Sequence, residues 1–339
     1  MINKPLDHPK INKNKIGLLL INLGTPSNLK LKSIKIYLKE FLSDRRVIDL
    51  PRIQWWFILN FIILNIRPKK TLEAYKKIWL QNDPDGSPLR KITRLQSEKL
   101  SKEFNNEGII VDYAMRYGRP AIKTKLDELK KRGCDRIIIF SLYPQYSGPT
   151  SATVNDEVCK WLMCQKWQPS IRIAPPYFDK PKYISTISKS ILNSFAKHGE
   201  PDILLLSFHG APMRYLVEGD PYHCQCVKTA RLIKEKLNFD ENKFLISFQS
   251  RFGSEPWLKP YTDETLKKLG HEKVKHLAIV TPGFSADNIE TLEEINIEGR
   301  KEFLDSGGKK FTYIPCLNDT EIGIKLLKDL TLDELSGWI

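Results

Sequence analysis

Two stretches of this chain repeat one another, and the repeat constrains the fold more than any other feature. Leu18–Pro26 reads LLLINLGTP and Leu204–Pro212 reads LLLSFHGAP, each an apolar run of strand length closed by Gly-x-Pro. A second pair follows in the same order, IIIFSLYPQYS (137–147) and LAIVTPGFS (277–285), each with a proline three residues before a serine. Helix-like stretches such as Ile122–Arg132 and Val227–Leu237 lie between the strands. Continuous apolar strands alternating with amphipathic helices predict βαβ units and parallel sheets covered on both faces. The expected fold class is α/β, built as two similar doubly wound domains.

A length of 339 residues suits two domains. The linker is expected near IRIAPPYFDKP (171–181), which holds three prolines. The expected organisation is a flexible tail over 1–14, a first domain over 15–170, a second over 171–316, and a closing helix over 317–339 packing back on the first. The echo also locates an insertion. Pro26 and Pro144 are 118 positions apart but Pro212 and Pro282 only 70, so the first half carries 48 more residues, within about 41–90. There WWFILNFIILNI (55–66) has ten apolar residues in twelve, followed by RPKK. It falls short of the roughly 18 residues that span a bilayer. A core helix and an exposed apolar lip touching lipid both fit, and Arg67, Lys69 and Lys70 would suit headgroups.

The net charge of +14 favours anionic partners such as phospholipid headgroups or acidic small molecules. No finger or RRM motif is present, so nucleic acid is not an expected partner. Neither Gly-x-Gly-x-x-Gly nor Gly-x-x-x-x-Gly-Lys occurs, which leaves nucleotide binding without support. The first 15 residues, MINKPLDHPKINKNK, lack the apolar core of a secretory signal. Six cysteines without a framework of short spacings read as reduced thiols of a cytoplasmic protein. His223, Cys224 and Cys226 lack the second ligand pair a structural zinc site needs.

Ligands of open α/β sheets bind at the carboxyl ends of strands, and His209 lies at such an end. After the strand ending at Val280 the chain reads TPGFSADNIETLEEINIEGRKEFL, which spaces Asp287, Glu290, Glu294 and Glu298 at i, i+3, i+7 and i+11. Steps of four advance about 40° per turn of an α-helix, so the glutamates form a spiralling stripe, and a π-type widening would align them more closely. An imidazole facing carboxylates can hold a borderline divalent ion without the grip of thiolates. It can also accept protons near neutral pH. A solvated helix face and a structural histidine are the competing readings.

These residues resemble the ferrochelatases, which insert ferrous iron into a porphyrin to make haem. The likeness covers nearly the whole chain, through INLGTP (21–26), FLSDRRVIDLP (41–51), DGSPL (85–89), MRYGRP (115–120), LYPQYS (142–147), SFHGAP (207–212), GDPY (219–222), FQSRFGSEPWLKP (248–260) and TPGFSADNIETLEEI (281–295). The resemblance implies two Rossmann-like, chelatase-type domains with protoporphyrin IX in the cleft between them. It implies His209 and Glu290 as the catalytic and metal-handling pair, and Asp287, Glu294 and Glu298 as carboxylates of a metal route. It carries porphyrin contacts onto Leu23, Arg116, Tyr117, Tyr222 and Trp257. Arg116 would meet a propionate and the aromatics would stack on the macrocycle or pack the wall. The 55–66 stretch matches the family's hydrophobic lip, so peripheral contact with the inner face of a membrane is expected.

Some relatives hold a [2Fe–2S] cluster through three late cysteines and one in the body. Here no cysteine follows Cys316 and the body position is Gly148, so no cluster is expected and ferrous iron is a substrate only. Leu23, where the coproporphyrin branch commonly has tyrosine, leans toward protoporphyrin IX. The alternatives are a cobalt or nickel chelatase, a non-catalytic porphyrin carrier, and a membrane-binding module.

Overall fold

The computed structural model describes residues 5, 7, 15–104, 108–253 and 255–339, so the tail expected over 1–14 lies almost wholly outside the described residues. Strands β1 (Lys15–Thr25), β2 (Ile109–Gly118), β3 (Cys134–Ser141) and β4 (Ser170–Ile173) form one parallel sheet in the order β2-β1-β3-β4. Strands β5 (Ile203–His209), β6 (Phe244–Gln249), β7 (His276–Val280) and β8 (Lys310–Ile314) form a second in the matching order β6-β5-β7-β8. The echoed segments are β1 with β5 and β3 with β7, the two inner strands of each sheet. Flanked on both sides and covered on both faces, they need no polar alternation. Leu18 to Ile21 and Leu204 to Leu206 are accordingly 0 % exposed.

The boundary departs from the expected one. Ser170 to Ile173 pair with Arg136 to Ile139, so a cut at 170/171 falls inside the edge strand of the first sheet. Four residues including an arginine, followed at once by prolines, gave no apolar run to reveal that strand. The chain crosses over 174–180, and helix Pro181–His198 packs on helix Tyr222–Leu237 and β8. The closing helix Glu321–Leu335 lies against both Pro88–Glu103 and Pro181–His198. Arg136 Nη1 ties the chain beyond it to the first sheet by donating to the Trp338 carbonyl at 2.6 Å.

One apolar cluster runs from Leu18, Leu20 and Ile138 of the first sheet to Leu204, Leu206 and Val280 of the second. Each such buried side chain contributes roughly 1.5–3 kcal/mol, so the halves share a rigid core rather than a hinge.

The insertion forms helix Arg52–Phe57, a widened turn Ile58–Ile63 and helix Leu64–Ile78. The stretch 55–66 has one buried and one exposed apolar face. Trp55, Leu59 and Leu64 are buried among Tyr37, Leu38, Tyr75 and Tyr117. Ile53, Trp56, Phe57, Phe61, Ile62 and Ile66 are half or more exposed. Among the described residues no helix is long and apolar enough to cross a membrane.

Gly24 and Gly210 end the echoed strands at corresponding positions, so Leu23 and His209 are counterparts at the carboxyl ends of β1 and β5. Gly24 has φ +117° and a Cβ there would stand 1.8 Å from the Tyr117 carbonyl oxygen. Gly210 donates to the Gln249 carbonyl at 2.7 Å, and a Cβ would stand 2.7 Å from that oxygen. Gly199 has φ +85° with nothing within 4 Å of a Cβ. Backbone conformation alone makes Gly199→Ala cost roughly 1–3 kcal/mol, and Gly24→Ala adds a backbone collision. Thermal melts should rank Gly24→Ala clearly below Gly199→Ala; equal melting points would contradict the close approach.

Candidate active site

His209 is the last residue of β5, where the sheet fixes its backbone through pairing with Gln249 of β6. Its Nδ1 lies 2.6 Å from the Gly210 carbonyl oxygen. A carbonyl only accepts, so Nδ1 carries the proton and neutral His209 presents a bare lone pair at Nε2. That lone pair faces Glu290 Oε1 at 3.6 Å, with side chains 38 % and 22 % exposed. Two acceptors at this separation leave room for a cation between them. An ion bonded at about 2.1 Å to each would subtend an angle of roughly 120°.

Glu290 opens a π-helix over Glu290–Gly299. Asn288 Oδ1 accepts from the Glu290 N–H at 2.8 Å and the Thr291 N–H at 3.3 Å, satisfying donors a helix start leaves free. A buried chain of hydrogen bonds sets the helix against the sheet. Ser207 Oγ donates to Gln249 Oε1 at 2.8 Å, and Gln249 Nε2 donates to the Glu290 carbonyl at 3.0 Å. Ser207 lies two residues before His209, so one network fixes both partners.

Glu294 accepts from the Ser250 N–H at 2.8 Å and from its hydroxyl. Burial pushes its pKa up to about 7, with Glu290 raising it further and the Ser250 bonds and His209 opposing. Glu294 therefore feels the charges of both Glu290 and His209.

The other two carboxylates leave the expected stripe. Asp287 is buried, and accepts from Tyr313 Oη at 2.5 Å, Asn318 Nδ2 at 2.6 Å and Thr291 Oγ1 at 3.2 Å. Both of its oxygens are engaged, which makes it an anchor for the loop rather than a step on a route. Glu298 turns to Lys77 Nζ at 3.2 Å, which also holds Glu293 Oε1 at 2.6 Å. Backbone bonds from i to i+5 align residues five apart, so 298 shares a side with 293. Its partner Lys77, rather than the helix type, thus draws Glu298 out of the stripe. Glu293 and Lys77 were not legible because both depend on that register.

The softer contacts also shift. Arg116 Nη2 is paired with Asp44 Oδ2, and its Nε donates to Thr153 Oγ1 at 2.7 Å, leaving the side chain 9 % exposed. It is committed inside the wall, not free for a propionate. Tyr117 is fully buried with its hydroxyl on Asp44 at 2.9 Å, and Tyr222 sits in the core cluster. Leu23 is half-buried against the first-domain cores. Trp257 packs on Gly210 beside His209, and its Nε1 is buried without a partner, as is the Tyr143 hydroxyl.

Arg67, expected to reach headgroups, instead lies 4.8 Å over the Phe252 ring, where burial lowers its pKa and the Tyr37 and Glu290 charges oppose that. Lys69 and Lys70 remain exposed. In helix Tyr222–Leu237 Cys226 is buried and Cys224 exposed, so they diverge; all six cysteines are free thiols.

The family model for ferrochelatase matches residues 15–335. The chain belongs to the ferrochelatase family. It is 49 % identical over 337 residues to the ferrochelatase of Allorhizobium ampelinum, covering 99 % of this chain and 98 % of that one. Identity to the ferrochelatase of Agrobacterium fabrum is 48 % over 339 residues, with the same coverage. Among solved structures, SirB from Bacillus subtilis with Fe3+ superposes with TM-score 0.52 at 11 % identity, covering 96 % of this chain and 98 % of that one. CbiX, described as the terminal enzyme of sirohaem biosynthesis in denitrifying bacteria, gives TM-score 0.50 at 10 % identity over 94 % and 98 %. These likenesses establish the two-sheet chelatase-type fold. The chain is accordingly a ferrochelatase-family enzyme that inserts iron into a porphyrin, the terminal step of haem biosynthesis.

The raised Glu294 pKa has a sign that can be measured. The folded state holds a proton there up to about pH 7, while an unfolded glutamate releases it near its ordinary value of 4.5. Stability from this group therefore falls as pH rises from 4.5 to 7, by at most roughly 3 kcal/mol. Glu294→Gln should flatten the decline in denaturation free energy over that window; an unchanged slope would contradict the buried carboxyl.

Proposed function

We propose that this ferrochelatase-family enzyme inserts Fe2+ into protoporphyrin IX beneath the lip, with His209 as proton acceptor and Glu290 as its partner in delivering the ion. The observation that carries this reading is Nε2 of His209 facing Glu290 Oε1 at 3.6 Å. Metallation removes two pyrrole protons for each ion inserted. Neutral imidazole takes one, and Glu294, with a pKa of about 7, lies where a second can pass outward. Among the described residues no three His, Cys, Asp or Glu side chains converge on one point. Two protein ligands leave the rest of the ion's shell to exchangeable water and to the pyrrole nitrogens, which suits an ion in transit. The macrocycle shields its own nitrogens, so binding at its periphery must distort it. Arg67, which feels the charge of Glu290, fits the acidic edge of the porphyrin better than Arg116 does.

In this reading the outer face of the lip rests on the inner face of a membrane while the body stays in the cytoplasm. Trp56, Phe57 and Phe61 are exposed and pack on one another, with ring centroids 5.1 to 6.0 Å apart, and Lys69 and Lys70 flank them.

His209→Ala should lower anaerobic Fe2+ or Zn2+ insertion at least about 100-fold, the range of one lost general base, with the melting point little changed. Near-parental turnover would reject the assignment. Trp56→Ser with Phe61→Ser should weaken sedimentation with acidic liposomes while free porphyrin is still metallated; unchanged partitioning would remove the membrane contact.

A further inference from the structure

We propose that Lys77 is a positioning residue for metal insertion: it ties the lip helix to the π-helix and holds that helix in the register that keeps Glu290 and Glu294 opposite His209. The inference rests on the site reading above for its link to chemistry. Lys77 lies near the end of helix Leu64–Ile78, and its Nζ bridges Glu293 Oε1 at 2.6 Å and Glu298 Oε1 at 3.2 Å. In an α-helix residues five apart point about 140° from each other. With bonds from i to i+5 they stack on the same side, so one ammonium reaches both carboxylates only in the widened register.

A π-helix always competes with the tighter α alternative, so tertiary partners must select it. Asn288 and Gln249 hold its first turn and Ser250 holds Glu294 from the second domain. Lys77 ties the helix to the lip by charge, beside Ile289 and Leu292, which pack on the lip's buried cluster. Glu293 is only 8 % exposed and stands beside Glu298. Burial raises the Glu293 pKa, and the Lys77 bond is the largest influence opposing that. Without the ammonium, two neighbouring carboxylates, one of them buried, are relieved by turning apart, which is what the α register does. That rotation draws Glu294 off Ser250 and turns it relative to Glu290.

Two measurements on the full-length protein test the proposal, amide hydrogen exchange over 290–299 and steady-state Zn2+ insertion into protoporphyrin IX. Lys77→Met should speed exchange in that segment about tenfold or more through local opening, leaving the sheets unchanged. It should lower kcat several-fold with little change in porphyrin KM, and Lys77→Arg should restore most of both. In a Glu293→Gln/Glu298→Gln background Lys77→Met should add nothing. Parental exchange in Lys77→Met, or a further loss in that background, overturns the clamp. Faster exchange with parental kcat overturns its positioning role. Failure of the site reading is seen separately, as full turnover by His209→Ala, and leaves the exchange result standing.

Discussion

Two acceptors facing each other across 3.6 Å, His209 Nε2 and Glu290 Oε1, are the arrangement on which the rest of this structure bears. At that distance no hydrogen bond joins the two, so the protein holds them there by other means. It does so from within the second sheet. Ser207, two residues before His209 on β5, binds Gln249 at the end of β6, and Gln249 binds the backbone of Glu290. Ser207 and Gln249 are buried, where a broken hydrogen bond costs far more than it does in water. The sheet therefore sets where the two backbones stand, and the side chains span the distance between them.

The duplicated scaffold explains why one half carries this chemistry. Both sheets have the same strand order, and each central strand ends on a glycine that a neighbouring strand overhangs. The residue before that glycine is exposed to whatever lies above the sheet, and it is Leu23 in one half and His209 in the other. One end contributes an apolar surface and the other an imidazole. The shared apolar core beneath keeps the two ends fixed relative to one another. The lip is attached differently, through Arg67 over Phe252, Lys77 on Glu293 and Glu298, and Arg214 on Asp49 at 3.1 Å. Exposed ion pairs such as Arg214–Asp49 are worth little, so the attachment rests on the nearly buried Glu293–Lys77 pair and on Ile289 and Leu292, which pack against the buried face of the lip.

Much of this was legible because it depends on local pattern. Unbroken apolar runs ending in Gly-x-Pro gave the central strands, the topology class and the placement of His209. The four-residue β4 was missed because an edge strand that short needs no apolar run, only a neighbour to pair with. The carboxylate stripe was half legible. Glu290 and Glu294 stand with His209, but Asp287 is claimed by Tyr313 and Asn318, and Glu298 by Lys77. Those partners lie 26 to 221 positions away in the chain. Arg116 was misread for the same reason: Asp44, 72 positions distant, takes up its guanidinium. Residue type and spacing indicate what a side chain can do, whereas its partners across the fold determine whether it is free to do it.

The most direct test of the central claim is an X-ray absorption spectrum of the protein loaded anaerobically with Fe2+ in the absence of porphyrin. The arrangement of His209 and Glu290 predicts a first shell of nitrogen and oxygen with one imidazole, lost in His209→Ala, and no sulfur. Sulfur scattering from a thiolate, or an imidazole signal that survives His209→Ala, would contradict it.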